Sequence, residues 1–490
     1  MSNDRIMVTK GKIDRIGDAI REKTGSSDTY TLDEMPEAIR AIQTGGGGVG
    51  AQVTVTTETE EFYGLTVSLT NGTDTITSKF SNEGVAIFTG VEWEGELTVS
   101  VTYEEETYST AVQVKSRYNA ELNSIPKIYG AEWTIGQSPA MTRTDLAKDF
   151  ADPVAAINNG TGSSPFDTIA PWSEIIKVED PEAGILVKIP KFYFKLTFGA
   201  KFKIQISPKM QSGFSVCPAC ADRRDGKGER DYIFVGRHLS AVATYTSSSG
   251  VAPANYNNTN DLTRANARRW IHNIGSTIWQ WDYAAYITLF MLYLVEYANW
   301  DSTRTIGRGG INGYYTPNTG RTDAMQYHTG TNAATRDGVG NTQYRWVEDL
   351  WSNREHFVDG IRCDNVPDGN DNLDVYIISN PSDFSDTENG VKVIQRNCQL
   401  SGCVDAMIQS NVNGYEWVFT PSHIYNPSAS EAYHYYYATQ YTGGGYNTTY
   451  KPILCVGNEN GEDNEALGFL IYRWYDSTSP TRSCRLMKLP

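Results

Sequence analysis

The sequence predicts an α+β protein with a short helical leader, a small β-sandwich and a larger mixed body. Apolar residues recur at helical spacing in residues 1–44 and in two later stretches. Between residues 51 and 115, apolar and polar residues alternate strictly, as in half-buried strands. From residue 116 to 490 the chain is rich in Gly, Asn, Ser and Tyr, which favours short strands joined by long loops. A length of 490 residues also indicates two or three domains.

Residues 1–44 form the leader, in which two short amphipathic helices are predicted. The apolar positions at helical spacing are Ile13, Ile16, Ile20, Met35, Ile39 and Ile42. Two helices of this size cannot bury their apolar faces alone, so we expect the leader either to dock on something larger or to self-associate. Residues 45–50 contain four consecutive glycines and predict a flexible linker.

Residues 51–115 predict an immunoglobulin-like β-sandwich of about six short strands. Asn71-Gly72 lies between two alternating runs, which predicts a hairpin. The polar positions are strongly acidic, and this favours a solvated spacer over a metal-binding module.

Two helices are predicted in the body. Residues 262–273 form a helix that Gly275 ends. Residues 283–299 form a second helix that is apolar nearly all round, so we expect it to be buried on every side.

Composition excludes several classes of function. The net charge of −16, without a local basic patch, argues against nucleic acid and anionic membranes as partners. The longest apolar run, residues 287–295, is far shorter than the roughly 20 residues of a membrane helix. The N-terminus has no apolar signal region, so we expect synthesis in a host cytoplasm and exit by lysis or within a particle. Cys217 and Cys220 have CxxC spacing without a matching second pair, which favours a reduced thiol pair in a turn.

Catalytic, cofactor and metal motifs are missing from the sequence. The six histidines show no metal-binding spacing. Glu348 and Asp349 are adjacent and should point apart, and His356 is interpreted as a structural group. Oxygen ligands around Asp364, residues 368–371 and Asp374 would suit calcium, but the same residues are typical of a polar turn, which we favour. Calcium binding stays open.

Three stretches carry a family resemblance. Residues 14–25 (DRIGDAIREKTG) and 32–42 (LDEMPEAIRAI) resemble the start of tail proteins from phages of Gram-positive gut bacteria. Residues 344–360 (YRWVEDLWSNREHFVDG) resemble the Trp-rich region of the C-type lectin fold of formylglycine-generating enzymes. The ending, GFLIY at 468–472 and SCRLMKLP at 483–490, resembles the last strands of variable proteins from diversity-generating retroelements, such as phage tropism determinants.

This resemblance implies that residues 116–490 form a C-type-lectin-like binding domain of a phage tail-tip protein. Its leader would attach to tail or baseplate proteins, its location would be the virion, and its assembly would be a homotrimer. Enzymes of this fold use paired active-site cysteines, whose spacing is not matched by Cys363, Cys398, Cys403 and Cys484. We therefore expect a protein that is not an enzyme, and we interpret these cysteines as small buried hydrophobic residues.

The resemblance also implies a variable ligand-binding face built from the C-terminal segment. Seven tyrosines lie between residues 433 and 450, and a second candidate loop spans 473–479. Tyrosine gives a large contact area at low entropic cost, which suits a recognition surface. The predicted ligand-binding residues are Tyr433, Tyr435, Tyr436, Tyr437, Tyr441, Tyr446, Asn447, Tyr450, Arg473, Trp474, Tyr475, Asp476, Ser477 and Ser479.

The predicted function is adhesion to a host-cell receptor, either a glycan or a protein. One alternative is a structural baseplate or tail component, in which the same tyrosines would pack in a core or between subunits. The other is a formylglycine-generating-type enzyme or a tail-borne depolymerase.

Overall fold

The computed structural model describes the chain from residue 51 onward, apart from short gaps. The described residues are 51–57, 59–93, 95–116, 119–120, 123–125, 127–134, 138–259, 261–310, 317–351, 353–366, 372–397, 402–425, 436–440, 452–456, 467–474 and 481–490. The predicted leader and the glycine linker lie outside them. The chain divides into two compact units, Met1–Pro126 and Lys127–Pro490.

The described part of the first unit consists of eight strands and one 3₁₀ turn. These are β1 (Ala51–Thr57), a 3₁₀ turn at Glu60–Phe62, β2 (Thr66–Thr70), β3 (Thr75–Lys79), β4 (Val85–Val91), β5 (Gly95–Tyr103), β6 (Glu106–Ser116), β7 (Asn119–Ala120) and β8 (Asn123–Ile125). The predicted hairpin is confirmed, since β2 and β3 pair antiparallel around Asn71 and Gly72. Gly72 has a φ of +92°, a conformation that glycine adopts without steric cost.

The strands of the first unit form two sheets, with orders β4-β1-β8 and β3-β2-β5-β6-β7. Alternate residues are buried, as the sequence alternation predicts; along β5, Leu97, Val99 and Val101 are buried. Strands β7 and β8 pair with β6 and β1, so this unit extends past the predicted spacer boundary at residue 115.

The second unit contains 24 of the strands, β9 to β32. They are β9 (Tyr129–Trp133), β10 (Thr142–Asp145), β11 (Ala156–Ile157), β12 (Ile176–Asp180), β13 (Gly184–Pro190), β14 (Tyr193–Phe198), β15 (Phe202–Ser207), β16 (Ser215–Val216), β17 (Tyr232–Gly236), β18 (Ile278–Gln280), β19 (Gly330–Thr331), β20 (Thr342–Tyr344), β21 (Val347–Glu348), β22 (Glu355–Phe357), β23 (Ile361–Val366), β24 (Asn372–Ile377), β25 (Val391–Asn397), β26 (Gly402–Gln409), β27 (Phe419–Tyr425), β28 (Tyr436–Gln440), β29 (Pro452–Val456), β30 (Gly468–Trp474), β31 (Arg482–Ser483) and β32 (Leu486–Lys488).

Helices are few among the described residues of the second unit. They are α1 (Tyr256–Thr259), α2 (Arg264–His272), α3 (Tyr283–Tyr297) and α4 (Ser302–Thr305), with 3₁₀ turns at Pro165–Thr168, Trp172–Glu174 and Pro381–Asp383. Both predicted helices are present, each ending one or two residues inside its predicted limits. Thr263 caps α2, accepting a hydrogen bond from the amide of Asn266.

The strands of the second unit form five sheets. Their orders are β10-β9-β15-β14-β16, β11-β19-β20-β21, β12-β13-β17-β32-β18, β23-β24-β25 and β27-β26-β28-β30-β29-β22-β31. The chain is therefore mixed, with few helices and many strands in several sheets. Within the described residues, none of the helices has the length and apolar character needed to cross a membrane.

Helix α3 is buried along its whole length, which confirms the prediction from its apolar sequence. It lies in the largest core cluster together with five buried tryptophans: Trp133, Trp172, Trp281, Trp300 and Trp351. The helix contains one charged residue, Glu296, which is fully buried. Arg345 compensates that charge, with Nη2 2.5 Å from Glu296 Oε1 and Nε 3.0 Å from Oε2.

Substitution of Leu292 by Ala should destabilise the second unit by about 2–5 kcal/mol, because Leu292 is fully buried and the change leaves a cavity. Ile176→Ala is the matched control, since Ile176 is 49% exposed, and it should cost less than about 1 kcal/mol. Denaturant unfolding followed by tryptophan fluorescence measures both values. Equal losses of stability in the two variants would contradict a core centred on α3.

Candidate functional site

Two strands that carry predicted binding residues lie side by side in the seven-stranded sheet. Strand β28 contains Tyr436 and Tyr437, and β30 ends with Arg473 and Trp474. The two strands are parallel, with Tyr436 opposite Gly468 and Gln440 opposite Tyr472. Parallel neighbours end at the same edge of a sheet. Strands β28 and β30 therefore end, with Gln440 and Trp474, at one edge.

The next strand closes this arrangement. Strand β29 is antiparallel to β30, and Pro452 lies opposite Trp474. Strand β28 therefore ends with Gln440 and β29 begins with Pro452 at the same edge. This edge, defined by Gln440, Pro452 and Trp474, is called the recognition edge below.

The remaining predicted binding residues lie outside the described residues. They are Tyr433 and Tyr435, before β28; Tyr441, Tyr446, Asn447 and Tyr450, between β28 and β29; and Tyr475, Asp476, Ser477 and Ser479, after β30. Sequence position alone attaches the second and third groups to the recognition edge. Strands β28 and β30 end there and β29 begins there. These are the three central strands of the seven-stranded sheet, so two further strands lie on each side of them.

The Trp-rich segment from residue 344 onward begins with a tight hairpin. Gln343 pairs with Glu348 and Tyr344 with Val347, which leaves Arg345 and Trp346 as a two-residue turn. Both turn residues have positive φ, +45° and +72°, as a type I′ turn requires. Neither residue is a glycine, so the turn carries a steric cost, and Arg345 is held in it by a buried ion pair with Glu296.

Glu348 and Asp349 follow this hairpin and use separate hydrogen-bond donors. Glu348 accepts from the amides of Gly320 and Thr322, both at 2.8 Å. Asp349 accepts from the side-chain amides of Asn341 and Asn353, at 2.6 and 2.9 Å. The prediction that the two carboxylates point apart is confirmed.

One group of metal-type ligands comes together in the folded chain. Among the described residues, His238, Asp323 and Glu348 have ligand atoms within 4.8 Å of one another. Arg237 Nε also lies 3.0 Å from Asp323 Oδ1, and the carboxylate of Glu348 already accepts backbone amides. A guanidinium in direct contact opposes cation binding, so this is the geometry of a hydrogen-bonded network. The spacing of residues in the sequence did not predict this group, because its three members are far apart along the chain.

The charges of this network shift the pKa of Asp323. Burial alone would raise the pKa, but hydrogen bonds from His238 and Ser249 and the charge of Arg237 outweigh burial and hold the pKa well below its usual range. Asp323 is therefore ionised and serves as the partner of two basic side chains.

The two described carboxylates among the possible calcium ligands, those of Asp364 and Asp374, form ion pairs with cationic side chains. Asp364 Oδ2 lies 2.5 Å from Arg362 Nη1, and Asp374 Oδ2 lies 2.7 Å from Lys392 Nζ. Residues 367–371, where the polar turn is predicted, lie outside the described residues. The Asp364–Arg362 ion pair lies within β23, and the Asp374–Lys392 ion pair joins β24 to β25.

Four cysteines have described, fully buried side chains: Cys217, Cys220, Cys363 and Cys484. Cys217 and Cys220 lie in one turn, in which the amide of Cys220 donates to the carbonyl of Cys217 at 3.0 Å. This agrees with the predicted thiol pair in a turn, and burial of Cys363 and Cys484 agrees with their prediction as hydrophobic residues. His356 is also buried, with its ring 5.8 Å from that of Trp281, as expected for a structural group.

No protein-family model matches this sequence, and no curated protein matches it either.

Asp349 should make the stability of the second unit depend on pH. Burial, followed by the charge of Glu348, raises the pKa of Asp349 to about 7. The unfolded chain therefore loses this proton near pH 4, and the folded chain loses it only near pH 7. Between these values the folded state binds more protons, so this group lowers the free energy of unfolding as pH rises.

In Asp349→Asn the decrease in stability between about pH 4 and about pH 7 should be smaller than in the wild type, since the amide does not ionise. Urea unfolding at a series of pH values measures the difference between the two proteins. Identical pH profiles would show that Asp349 ionises normally in the folded chain.

Proposed function

We propose that this chain is a phage tail-tip adhesin that binds a receptor on the surface of its bacterial host. The observation that carries the proposal is the recognition edge, where β28 and β30 end together. Both candidate binding segments, one Tyr-rich and one following Arg473-Trp474, are attached to that edge by the chain itself. Two segments from one edge can contact one ligand, and aromatic residues suit such contact.

The proposal includes a C-type-lectin-like fold for the second unit. In support, this unit is mixed, with few helices and many short strands, and its Trp-rich segment after residue 344 is buried around Tyr344, Val347 and Trp351. The C-terminal strand β32 pairs with β17 and β18 inside a five-stranded sheet, so the end of the chain is part of the core.

Attachment and avidity complete the proposed function. The leader would attach the chain to tail or baseplate proteins of the virion, and the chain would act as a homotrimer. Several copies on one particle convert weak single contacts into strong overall binding. No catalytic step is part of this function.

The test compares full-length wild-type protein with a variant in which Tyr441, Tyr446 and Tyr475 are changed to Ala. We expect the variant to bind intact cells at least about tenfold more weakly, because aromatic residues dominate recognition surfaces. Fluorescently labelled protein and flow cytometry on a panel of Gram-positive gut bacteria measure binding.

The matched control changes Tyr63, Tyr193 and Tyr232 to Ala, three half-buried tyrosines that belong to neither candidate binding segment. It should bind as the wild type does. Equal binding by all three proteins would place the receptor site elsewhere. No binding by any of them, on a host that the phage infects, would favour the structural tail component.

A further inference from the structure

A cavity of about 330 Å³ lies in the second unit, away from the recognition edge. Four segments and two single residues, Phe194 and Gly360, line it; the segments lie within residues 215–224, at the start of α3, at residues 377–379 and at the turn of residues 414–417. Pockets for small ligands begin at roughly 300 Å³, so this cavity has room for one small ring with its substituents.

The position of the cavity follows from the register of the seven-stranded sheet. Strand β26 is antiparallel to β28, with Gly402 opposite Ala438, so β26 runs away from the recognition edge. Gln409 pairs with Phe419, and the turn between β26 and β27 therefore lies at the opposite end of the sheet. The cavity and the recognition edge are two separate places on one unit.

Arg223 and Asp282 form a buried ion pair in the cavity wall. Arg223 Nη2 donates to Asp282 Oδ2, and Arg223 Nε donates to the carbonyl of Ser379 at 3.0 Å. Asp282 also caps α3, since its Oδ1 accepts from the amide of Ala285 at 2.9 Å. The ion pair is thus held in place by the start of the central helix.

The guanidinium of Arg223 is not fully hydrogen-bonded. Its Nη1 is buried and has no acceptor among the described residues. Leaving a buried donor without an acceptor is unfavourable. A ligand oxygen bound beside Arg223 would supply that acceptor.

Two aromatic side chains form another wall. Tyr415 is buried, and its hydroxyl lies 3.2 Å from Ser379 Oγ. Trp417 is only half-buried; its indole donates to the carbonyl of Gly414 at 3.2 Å, and its ring stacks on Tyr283 with centroids 5.8 Å apart. The indole is therefore fixed in orientation and still exposes part of its surface.

The charges around the cavity favour a neutral ligand. Asp222, Asp282 and Glu416 would repel an anion, and Arg223 and Arg224 would repel a cation. Hydroxyl groups can donate to the carboxylates and accept from the guanidiniums.

We propose that this cavity binds a neutral sugar ring, free or at the end of a glycan. The C–H face of the ring would pack on Trp417, and its hydroxyls would exchange hydrogen bonds with Arg223 and Ser379. Size, the fixed aromatic surface and the balanced charges all fit this ligand. The proposal does not depend on the adhesin function, because the cavity lies at the other end of the sheet.

The test measures binding of methyl glycosides of glucose, galactose, mannose and N-acetylglucosamine to the full-length chain by saturation-transfer NMR. Glucuronic acid and glucosamine are the charged comparisons. We expect at least one neutral glycoside to bind with a millimolar Kd, and Trp417→Ala to weaken it about tenfold or more. Trp93→Ala, at a half-buried tryptophan of the first unit, should leave binding unchanged.

A second variant tests the charge argument without disturbing the aromatic wall. Glu416→Gln, at the exposed mouth, should change the affinity for a neutral sugar by less than about threefold. Lack of binding by every neutral glycoside, selective binding of a charged sugar, or equal affinities in Trp417→Ala and Trp93→Ala would each overturn the proposal. A disaccharide that binds more tightly than its methyl glycoside would identify the source as a glycan, and equal affinity would identify the free sugar.

Discussion

The second unit depends on one constraint, the complete burial of helix α3. A helix without a solvent-facing side must be surrounded, and here sheets and loops cover it on every side. Its two acidic residues are buried with it, Asp282 at the cap and Glu296 near the end. Each needs a cationic partner, because an isolated buried charge is strongly unfavourable. Arg223 and Arg345 meet that need and thereby fix two distant segments against the helix.

The same helix holds the seven-stranded sheet that carries both proposed sites. The hydroxyl of Tyr283 donates to the carbonyl of Phe419 at 3.2 Å, and that of Tyr286 donates to the carbonyl of Leu467 at 2.8 Å. Leu467 directly precedes β30, whereas Phe419 starts β27 beside the cavity turn. Recognition at the edge and sugar binding in the cavity would therefore rest on one rigid support, which lowers the entropic cost of binding at either place.

The C-terminal segment is held by another buried cation, Arg485. Arg485 donates to four backbone carbonyls, those of Gly236, Arg237, Glu348 and Asp349. These bonds join β17, β21 and the last strand, and burial lowers the pKa of Arg485 to about 10. A lysine could not satisfy four carbonyls in this geometry, since its single ammonium group lacks the planar fork of a guanidinium.

The sequence by itself determined the features that depend on local pattern. The period of the apolar residues predicted α3 and its burial, and Asn71-Gly72 predicted the hairpin of β2 and β3. Only the tertiary structure brought His238 to Asp323 and Glu348, ended β28 and β30 at one edge, and placed Trp417 near Arg223. The period of the apolar residues predicts which face of a helix or strand is buried, because that face is defined by residues only a few positions apart in the sequence. Which distant segments meet depends on sheet order and register, and these follow from the packing of the whole unit around α3.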